Sequence, residues 1–263
     1  MPTDPLDPDN IRENLRTKRI GRKILVYNST SSTNDIAAEY AKNKANDGLA
    51  IFAEEQTAGR GRAGTRWRSN KADSILCSII LTKCDLNAEL LSLACAVAVA
   101  EAVGKMVQSE AKIKWPNDIV LSGKKVAGIL LESRPSRNGS SYILGVGINC
   151  HQRQDSFAPE LRPVATSIDI QGQVFCDRIS VAKRLLSSIE YWLGVAEKNH
   201  TEVAEQWQRL SLQLGHRITL CYNGKTYTGN CVGIDPLKGL IVQLETGGVT
   251  FFDAMHTTVR KTT

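Results

Sequence analysis

A loop rich in glycine and arginine carries the residues best suited to bind an anion. The segment Gln56-Thr57-Ala58-Gly59-Arg60-Gly61-Arg62-Ala63-Gly64 follows a strand-like run from Gly48 to Glu55. Glycines let main-chain N–H groups approach a ligand closely, and the guanidinium forks of Arg60 and Arg62 match phosphate or carboxylate oxygens. The spacing is neither that of a P-loop nor that of a dinucleotide-binding turn. Taken alone, the loop is equally compatible with an exposed basic loop or a nucleic-acid contact.

A second polar stretch lies at the entrance to a predicted β-hairpin. The sequence Lys114-Trp115-Pro116-Asn117-Asp118 precedes an apolar run, a turn at Ser122-Gly123-Lys124 and a return strand that begins at Lys125. Pro116 restricts its own φ and the backbone of Trp115, which pins the direction of the polar residues that follow. We therefore expect a rigid polar corner beside a lysine.

Composition narrows the class of protein. The chain has 263 residues, of which 42% are hydrophobic and 23% are charged. These values are ordinary for a globular protein, and the length suffices for one larger domain and a small one. The net charge of +6, from 33 basic and 27 acidic residues, is too small to indicate nucleic-acid binding without a clustered patch. Seven cysteines without a C-x-x-C pair and four scattered histidines predict reduced thiols and no metal site.

The N-terminal segment and the longest apolar stretch indicate where in the cell the protein is located. The N-terminal segment is acidic and rich in proline, where a secretory signal would be basic and then apolar. The longest apolar stretch, from Leu90 to Val103, is too short to span a bilayer. We therefore expect a cytoplasmic location and no membrane partner.

Five motifs, in order and spacing, resemble those of biotin protein ligase. They are Ser32-Thr33-Asn34, the loop from Gln56 to Gly64, the corner from Lys114 to Asp118, the strand from Lys124 to Leu130, and Gly145-Val146-Gly147-Ile148-Asn149. The combination of W-P-N-D with K-x-A-G-I-L is distinctive, and the resemblance covers residues 25 to 260 or so. About two dozen residues precede the first catalytic strand, so we expect no N-terminal DNA-binding domain, no DNA partner and no repressor role.

The resemblance implies an α+β fold with a second, smaller domain. Residues 1–213 would form a catalytic domain with a mixed sheet flanked by helices, of the class II synthetase-like type. Residues 214–263 would form a C-terminal SH3-like barrel. The short strands and Gly-rich turns after Leu214 predict such an all-β meander from the residues themselves.

The resemblance also implies two half-reactions. The biotin carboxylate attacks the α-phosphate of ATP to give biotinyl-5′-AMP, with Mg²⁺ bound mainly through phosphate oxygens and water. A specific lysine of a biotin carboxyl carrier protein then takes the biotinyl group. The expected catalytic residues are Lys125, Arg62 and Asp118. Lys125 would be a cation for the carboxylate and the phosphate, and Arg62 would bind phosphate on a loop that orders over the adenylate. Asp118 would accept a proton from the incoming lysine. A homodimer is left open.

The expected ligand contacts fall into two sets. Those for biotin are Ser32, Thr33, Gln56, Gly59, Arg60, Lys125 and Gly128, and those for the nucleotide are Arg60, Arg62, Trp67, Lys114, Asn117 and Asn149. For several of these a structural role fits the sequence as well. Ser32 and Thr33 could cap the helix predicted from Asp35 to Lys42, and Asn149 could form a turn.

Two other functions fit part of the sequence. One is a lipoate- or octanoate-type protein ligase or transferase, which shares the fold but would not be expected to have both the arginine-rich loop and W-P-N-D. The other is a non-enzymatic nucleic-acid-binding module that uses the basic loop and the small barrel; it predicts salt-sensitive binding to RNA or DNA.

Overall fold

Two β-sheets organise the chain. The computed structural model describes residues 4–136 and 139–259, so the first three residues of the predicted catalytic domain and the last four of the predicted barrel lie outside it. The larger sheet has seven strands in the spatial order β1-β2-β3-β7-β6-β5-β4. Its strands are β1 (Ile24–Tyr27), β2 (Ala50–Ala53), β3 (Ser74–Leu81), β4 (Lys112–Lys114), β5 (Asp118–Leu121), β6 (Lys124–Ser136) and β7 (Gly139–Asn149). Strands β1 and β2 are parallel and the other neighbouring pairs are antiparallel.

Helices cover both faces of this sheet. They are α1 (Pro8–Arg12), α2 (Thr33–Tyr40), α3 (Ala88–Val107), α4 (Ile168–Gly172), α5 (Arg178–Ala196) and α6 (His200–Leu210). Side chains of β3 alternate between the faces: Ile79 and Leu81 belong to the main core with α3 and α5, whereas Ile80 belongs to a smaller cluster with α2. The sheet is therefore buried on both sides, which explains the continuous apolar run of β3.

Helix α3 is the central helix of the main core. The side chain of Asn87 caps it by accepting a hydrogen bond from the main-chain N–H of Leu90 at 2.8 Å. By length and composition alone the helix could cross a membrane, but 67% of its most apolar window is buried inside the protein. Such burial is what a core helix of this composition shows.

The C-terminal part of the chain forms the second sheet. Its five strands are β8 (Arg217–Tyr222), β9 (Lys225–Asp235), β10 (Gly239–Leu244), β11 (Val249–Phe252) and β12 (Thr257–Val259), in the spatial order β11-β10-β9-β8-β12. Neighbouring strands are antiparallel. The α+β class is thus as predicted, and the antiparallel C-terminal sheet is consistent with an SH3-like domain. Strand β12 was not predicted, because a strand of three residues is too short to show an alternation of apolar and polar side chains.

Candidate active site

One cavity collects most of the residues singled out in the sequence. It lies over β6 and β7, between the glycine-rich loop, the Trp-Pro-Asn-Asp corner, the start of α2 and β12, and its volume is about 280 Å³. The predicted residues that line it are Ser32, Thr33, Gln56, Arg60, Arg62, Trp67, Lys114, Asn117, Asp118, Lys125 and Gly128. Neither Gly59 nor Asn149 is among the described residues that line it.

Glycines form the floor of the cavity under the indole of Trp67. Gly128 of β6 pairs with Gly147 of β7. A Cβ atom added at Gly147 would come within 2.6 Å of the Trp67 ring, and one at Gly128 within 3.1 Å. The indole can lie this close to the sheet because both positions lack a side chain. Its Nε1–H group is buried and has no hydrogen-bond partner among the described residues.

A β-bulge places Lys125 on the cavity side of the sheet. Lys125 pairs with Val120 because the register of β5 and β6 shifts by one residue between Ile119 and Val120. Val120 and Asp118 lie on the same face of β5, so Lys125 shares that face; without the bulge it would lie on the opposite, core-facing side. Its Nζ atom is 2.6 Å from Asp118 Oδ1 and 5.7 Å from the centre of the Trp67 ring.

Arg62 makes contacts that the sequence did not predict. Its guanidinium donates hydrogen bonds to the main-chain oxygens of Met255 and Thr257, each at 3.1 Å, and to that of Ala254. It also reaches Asn117 Oδ1 at 3.5 Å. The glycine-rich loop is thereby tied to the C-terminal sheet, and burial lowers the pKa of the guanidinium. Arg62, which the sequence predicts to bind phosphate, thus also connects the two sheets.

Arg60 is paired as well. Its Nη1 atom is 2.7 Å from Asp35 Oδ1, and its Nη2 atom is 3.4 Å from Glu132 Oε1. These are partly exposed ion pairs, which are weak in water. An anionic ligand in the cavity can therefore compete for this guanidinium at low cost.

The Ser-Thr-Asn motif opens α2 without capping it. The helix begins at Thr33, two residues earlier than predicted, and Ser32 occupies the N-cap position but makes no side-chain cap hydrogen bond to the described residues. Capping alone therefore does not explain Ser32. Thr33 donates from its main-chain N and from Oγ1 to Gln56 Oε1, at 2.7 and 3.0 Å. These two hydrogen bonds fix the side chain of Gln56 at the start of the glycine-rich loop.

Asn34 is a cavity residue that the predicted ligand sets lacked. Its Oδ1 atom lies 2.5 Å from Ser78 Oγ, whereas its Nδ2 atom is buried without a hydrogen-bond partner in the described chain. A Cβ atom at Gly145 would come within 2.4 Å of Asn34 Oδ1, so this glycine, too, is required by a close approach. The position of Asn34 in the Ser-Thr-Asn motif was the sequence feature that could have identified it.

Two residues of the predicted ligand sets, Gly59 and Asn149, lie outside the lining of the cavity. Gly59 packs on the backbone of Trp67, accepting a hydrogen bond from Trp67 N at 3.0 Å, and a Cβ atom there would be 2.7 Å from Trp67 O. Its role in this geometry is to close the loop. The buried side chain of Asn149 donates from Nδ2 to Thr166 O at 2.9 Å. Neither residue lines the cavity in the described part of the chain, and their expected contacts with biotin and the nucleotide stay predictions.

Comparisons with known proteins agree with this geometry. A model described as the biotin/lipoate A/B protein ligase family matches residues 26–149. The chain is 32% identical over 247 residues to the bifunctional ligase/repressor BirA of Bacillus spizizenii, covering 92% of this chain and 76% of that protein. It is 33% identical over 256 residues to the biotin–[acetyl-CoA-carboxylase] ligase of Mycobacterium tuberculosis, covering 94% and 92% of the two chains.

A solved structure extends the likeness to three dimensions. The biotin protein ligase of Aquifex aeolicus, in complex with biotin and ATP, superposes with a TM-score of 0.79 at 27% identity, covering 92% of this chain and all of the other. The fold is thus that of an enzyme class, the protein ligases that attach a cofactor acid. Within that class, the chain belongs to the biotin protein ligase family, whose members are ATP-dependent ligases. The lipoate-type and nucleic-acid-binding alternatives are correspondingly disfavoured.

Proposed function

We propose that this protein activates biotin with ATP to biotinyl-5′-AMP and then transfers the biotinyl group to a lysine of a biotin carboxyl carrier protein. The observation that carries the proposal is the convergence of Lys125, Arg62 and Trp67 on one cavity of about 280 Å³. The reaction needs no protein nucleophile; it needs two anions held together and water kept from the anhydride. Cations from two separate segments and an apolar indole meet that need.

The biotin end of the cavity is assigned to the start of α2. Thr33, Gln56 and Ser32 offer hydroxyl and amide groups that both donate and accept, which suits the ureido ring of biotin. The Nδ2–H group of Asn34, which has no hydrogen-bond partner among residues 4–136 and 139–259, adds a donor on the same side. Lys125 lies between this region and the arginine-rich loop, where the biotin carboxylate and the α-phosphate would meet.

The nucleotide end is assigned to the loop and the polar corner. Arg60 and Arg62 would bind phosphate oxygens, with Lys114 as a further cation, and Trp67 and Asn117 would contact the nucleotide. Arg62 would have to exchange at least one of its bonds to the C-terminal sheet for a phosphate oxygen. Asp118 would accept the proton of the incoming lysine, once the ligand carboxylate and phosphate compete for its partner Lys125.

We further propose Mg²⁺ as the activator. Asp118 is the single carboxylate among the described residues that line the cavity, and it is 2.6 Å from Lys125. A lone, paired carboxylate does not make a cage, so the ion would be held by phosphate oxygens and water, with its charge offsetting that of the phosphates. A division into a catalytic domain up to residue 213 and a barrel from residue 214, together with a cytoplasmic location, completes the proposal.

The test is a transfer reaction with defined components. The purified chain is mixed with ATP, Mg²⁺, biotin and a biotin carboxyl carrier domain, and the carrier is weighed by mass spectrometry. We expect the mass of one biotinyl group on the carrier, absent when its acceptor lysine is replaced by arginine. In parallel reactions, lipoate or octanoate replaces biotin. A carrier that gains the mass of a lipoyl or octanoyl group, and none from biotin, would refute the proposal.

A further inference from the structure

The turn between β11 and β12, residues 253–256, is bound to the rest of the chain by an acidic and a basic side chain. Its buried residue Ala254 donates its main-chain N–H group to Glu89 Oε1 at 2.8 Å. The main-chain oxygen of the same residue accepts a hydrogen bond from Arg62 Nη2. Ala254 is thus bound on one side by a carboxyl group and on the other by the guanidinium that is proposed to bind phosphate.

Glu89 gives the turn a rigid support. It is the second residue of α3, and the two residues that follow it, Leu90 and Leu91, are buried in the main core. Its backbone therefore cannot shift without disturbing the central helix. The Oε2 atom of Glu89 is buried and has no hydrogen-bond partner among the described residues. A proton can bind at Oε2 while Oε1 still accepts from Ala254, so the support does not depend on the charge of the carboxyl group.

The hydrogen bonds from Arg62 to this region are easier to give up. The hydrogens of Nη2 are shared among three main-chain oxygens, those of Ala254, Met255 and Thr257. Arg62 also lines both the ligand cavity and a second cavity of about 390 Å³, which Glu89 and Ala254 line as well. Because three acceptors compete for the hydrogens of one nitrogen, one bond can pass to a phosphate oxygen while another remains.

Asp253 orders the turn from within. Its Oδ1 atom accepts a hydrogen bond from the main-chain N–H group of His256 at 2.9 Å, and its Oδ2 atom accepts one from the hydroxyl of Tyr222 in β8 at 2.8 Å. The main-chain oxygens that Arg62 contacts therefore keep their arrangement as a unit. The bond from Ala254 to Glu89 sets the place of this unit against α3.

We propose that Glu89 is a positioning residue for Arg62 in the adenylation step, an assignment that rests on the function proposed above. Glu89 keeps the turn in place when a phosphate oxygen takes one of the hydrogen bonds of Arg62, and the turn keeps the guanidinium at the edge of the ligand cavity. Without the acceptor of Glu89, phosphate binding would compete with the contact between the turn and the loop that carries Arg62. The loss falls on ATP and spares biotin, whose ring is assigned to the start of α2.

Two substitutions of Glu89 separate its hydrogen-bond acceptor from its charge. Glu89→Ala removes the acceptor of the Ala254 N–H group, whereas Glu89→Gln keeps an oxygen at that place. In biotin-dependent exchange of pyrophosphate into ATP, we expect Glu89→Ala to raise KM for ATP about tenfold, the factor that corresponds to one charge-assisted hydrogen bond, with KM for biotin unchanged. Glu89→Gln should restore KM for ATP. Asp85→Ala is the matched control, because Asp85 is exposed and has no side-chain hydrogen bond or ion pair within residues 4–136 and 139–259.

Hydrogen exchange of the turn supplies a measurement that needs no activity. The intact protein without ligands is labelled, and peptides that cover β11, the turn and β12 are compared by mass spectrometry. We expect faster exchange in Glu89→Ala and wild-type exchange in Glu89→Gln and Asp85→Ala, because only the first variant frees the N–H group of Ala254. Peptides from the centre of α3 should exchange alike in all four proteins, which excludes a general loss of structure.

The outcomes separate this proposal from the function on which it rests. An unchanged KM for ATP in Glu89→Ala, or an equal rise of KM for ATP and biotin, would overturn the positioning role in a wild-type protein that exchanges pyrophosphate. An equal rise in Glu89→Gln would also overturn it, because the charge and not the acceptor would then be required. A wild-type protein without biotin-dependent exchange would refute the proposed function instead. Unchanged hydrogen exchange of the turn in Glu89→Ala would refute the support by Glu89 whether or not the protein is active.

Discussion

The ammonium group of Lys125 is the cation whose removal tests the proposed chemistry most directly. It lies 2.6 Å from Asp118 Oδ1 and 5.7 Å from the centre of the Trp67 ring. Replacement of Lys125 by methionine removes the charge but keeps an unbranched apolar stem that can still pack on the indole. The variant therefore separates the charge from the packing.

The structure predicts a large effect on catalysis and a small one on folding. The Lys125 and Asp118 side chains are 37% and 28% exposed, and a pair of this kind contributes about 0 to 1 kcal/mol to stability. Loss of a preorganised cation or donor at a developing negative charge costs about 10²- to 10³-fold in rate, or about 2.7 to 4 kcal/mol. We expect Lys125→Met to lose adenylation by that factor with a nearly unchanged free energy of unfolding.

The assay is biotin-dependent exchange of pyrophosphate into ATP, with urea unfolding measured on the same preparations. Lys124→Met is the matched control, because Lys124 precedes Lys125 in β6 and is not among the cavity-lining residues. Exchange within a few-fold of the wild-type rate in Lys125→Met would refute the role of this ammonium group. An equal loss in Lys124→Met would show that the effect is a general change of surface charge.

Four further outcomes follow from the contacts. Arg62→Ala should lower the free energy of unfolding by about 1 to 3 kcal/mol in urea titrations, because three carbonyls lose their donor, and should abolish adenylation; unchanged stability would argue against the anchor. Gly147→Ala should displace the Trp67 indole and alter tryptophan emission, whereas Gly194→Ala, which has open space around its Cβ position, should not; identical spectra would contradict the close packing. Burial raises the pKa of Glu89 to about 7 from its ordinary 4.5, so the folded state binds a proton more tightly; stability should fall as pH rises from about 4.5 to 7, and Glu89→Gln should show less of this slope in urea titrations across that range. Biotin plus ATP should suppress proteolysis between residues 59 and 71 through loop ordering; equal cleavage with and without ligands would exclude ordering.

Local features of the site could be predicted because they depend on neighbours in the chain. The Gly-rich loop follows from residue type, the β5–β6 hairpin from two apolar runs around Ser122-Gly123, and the long core helix from its all-round apolar residues. The order of the motifs then indicated the family, and the cavity does bring Arg62 and Lys125 together. These inferences rest on preferences that act within a few residues.

The tertiary structure alone decided which partner each polar group meets. Arg62 and Thr257, 195 positions apart, are joined by a hydrogen bond that no pattern around either residue indicates. A one-residue bulge determines the face on which Lys125 lies, and a hydrogen bond to the main-chain oxygen of Thr166 occupies the side-chain amide of Asn149. His151, Asp169 and Cys176 likewise converge from three separate segments, the end of β7, helix α4 and the residues before α5. Sequence constrains the backbone over short distances, whereas packing of distant segments determines the neighbours of a side chain and hence its chemistry.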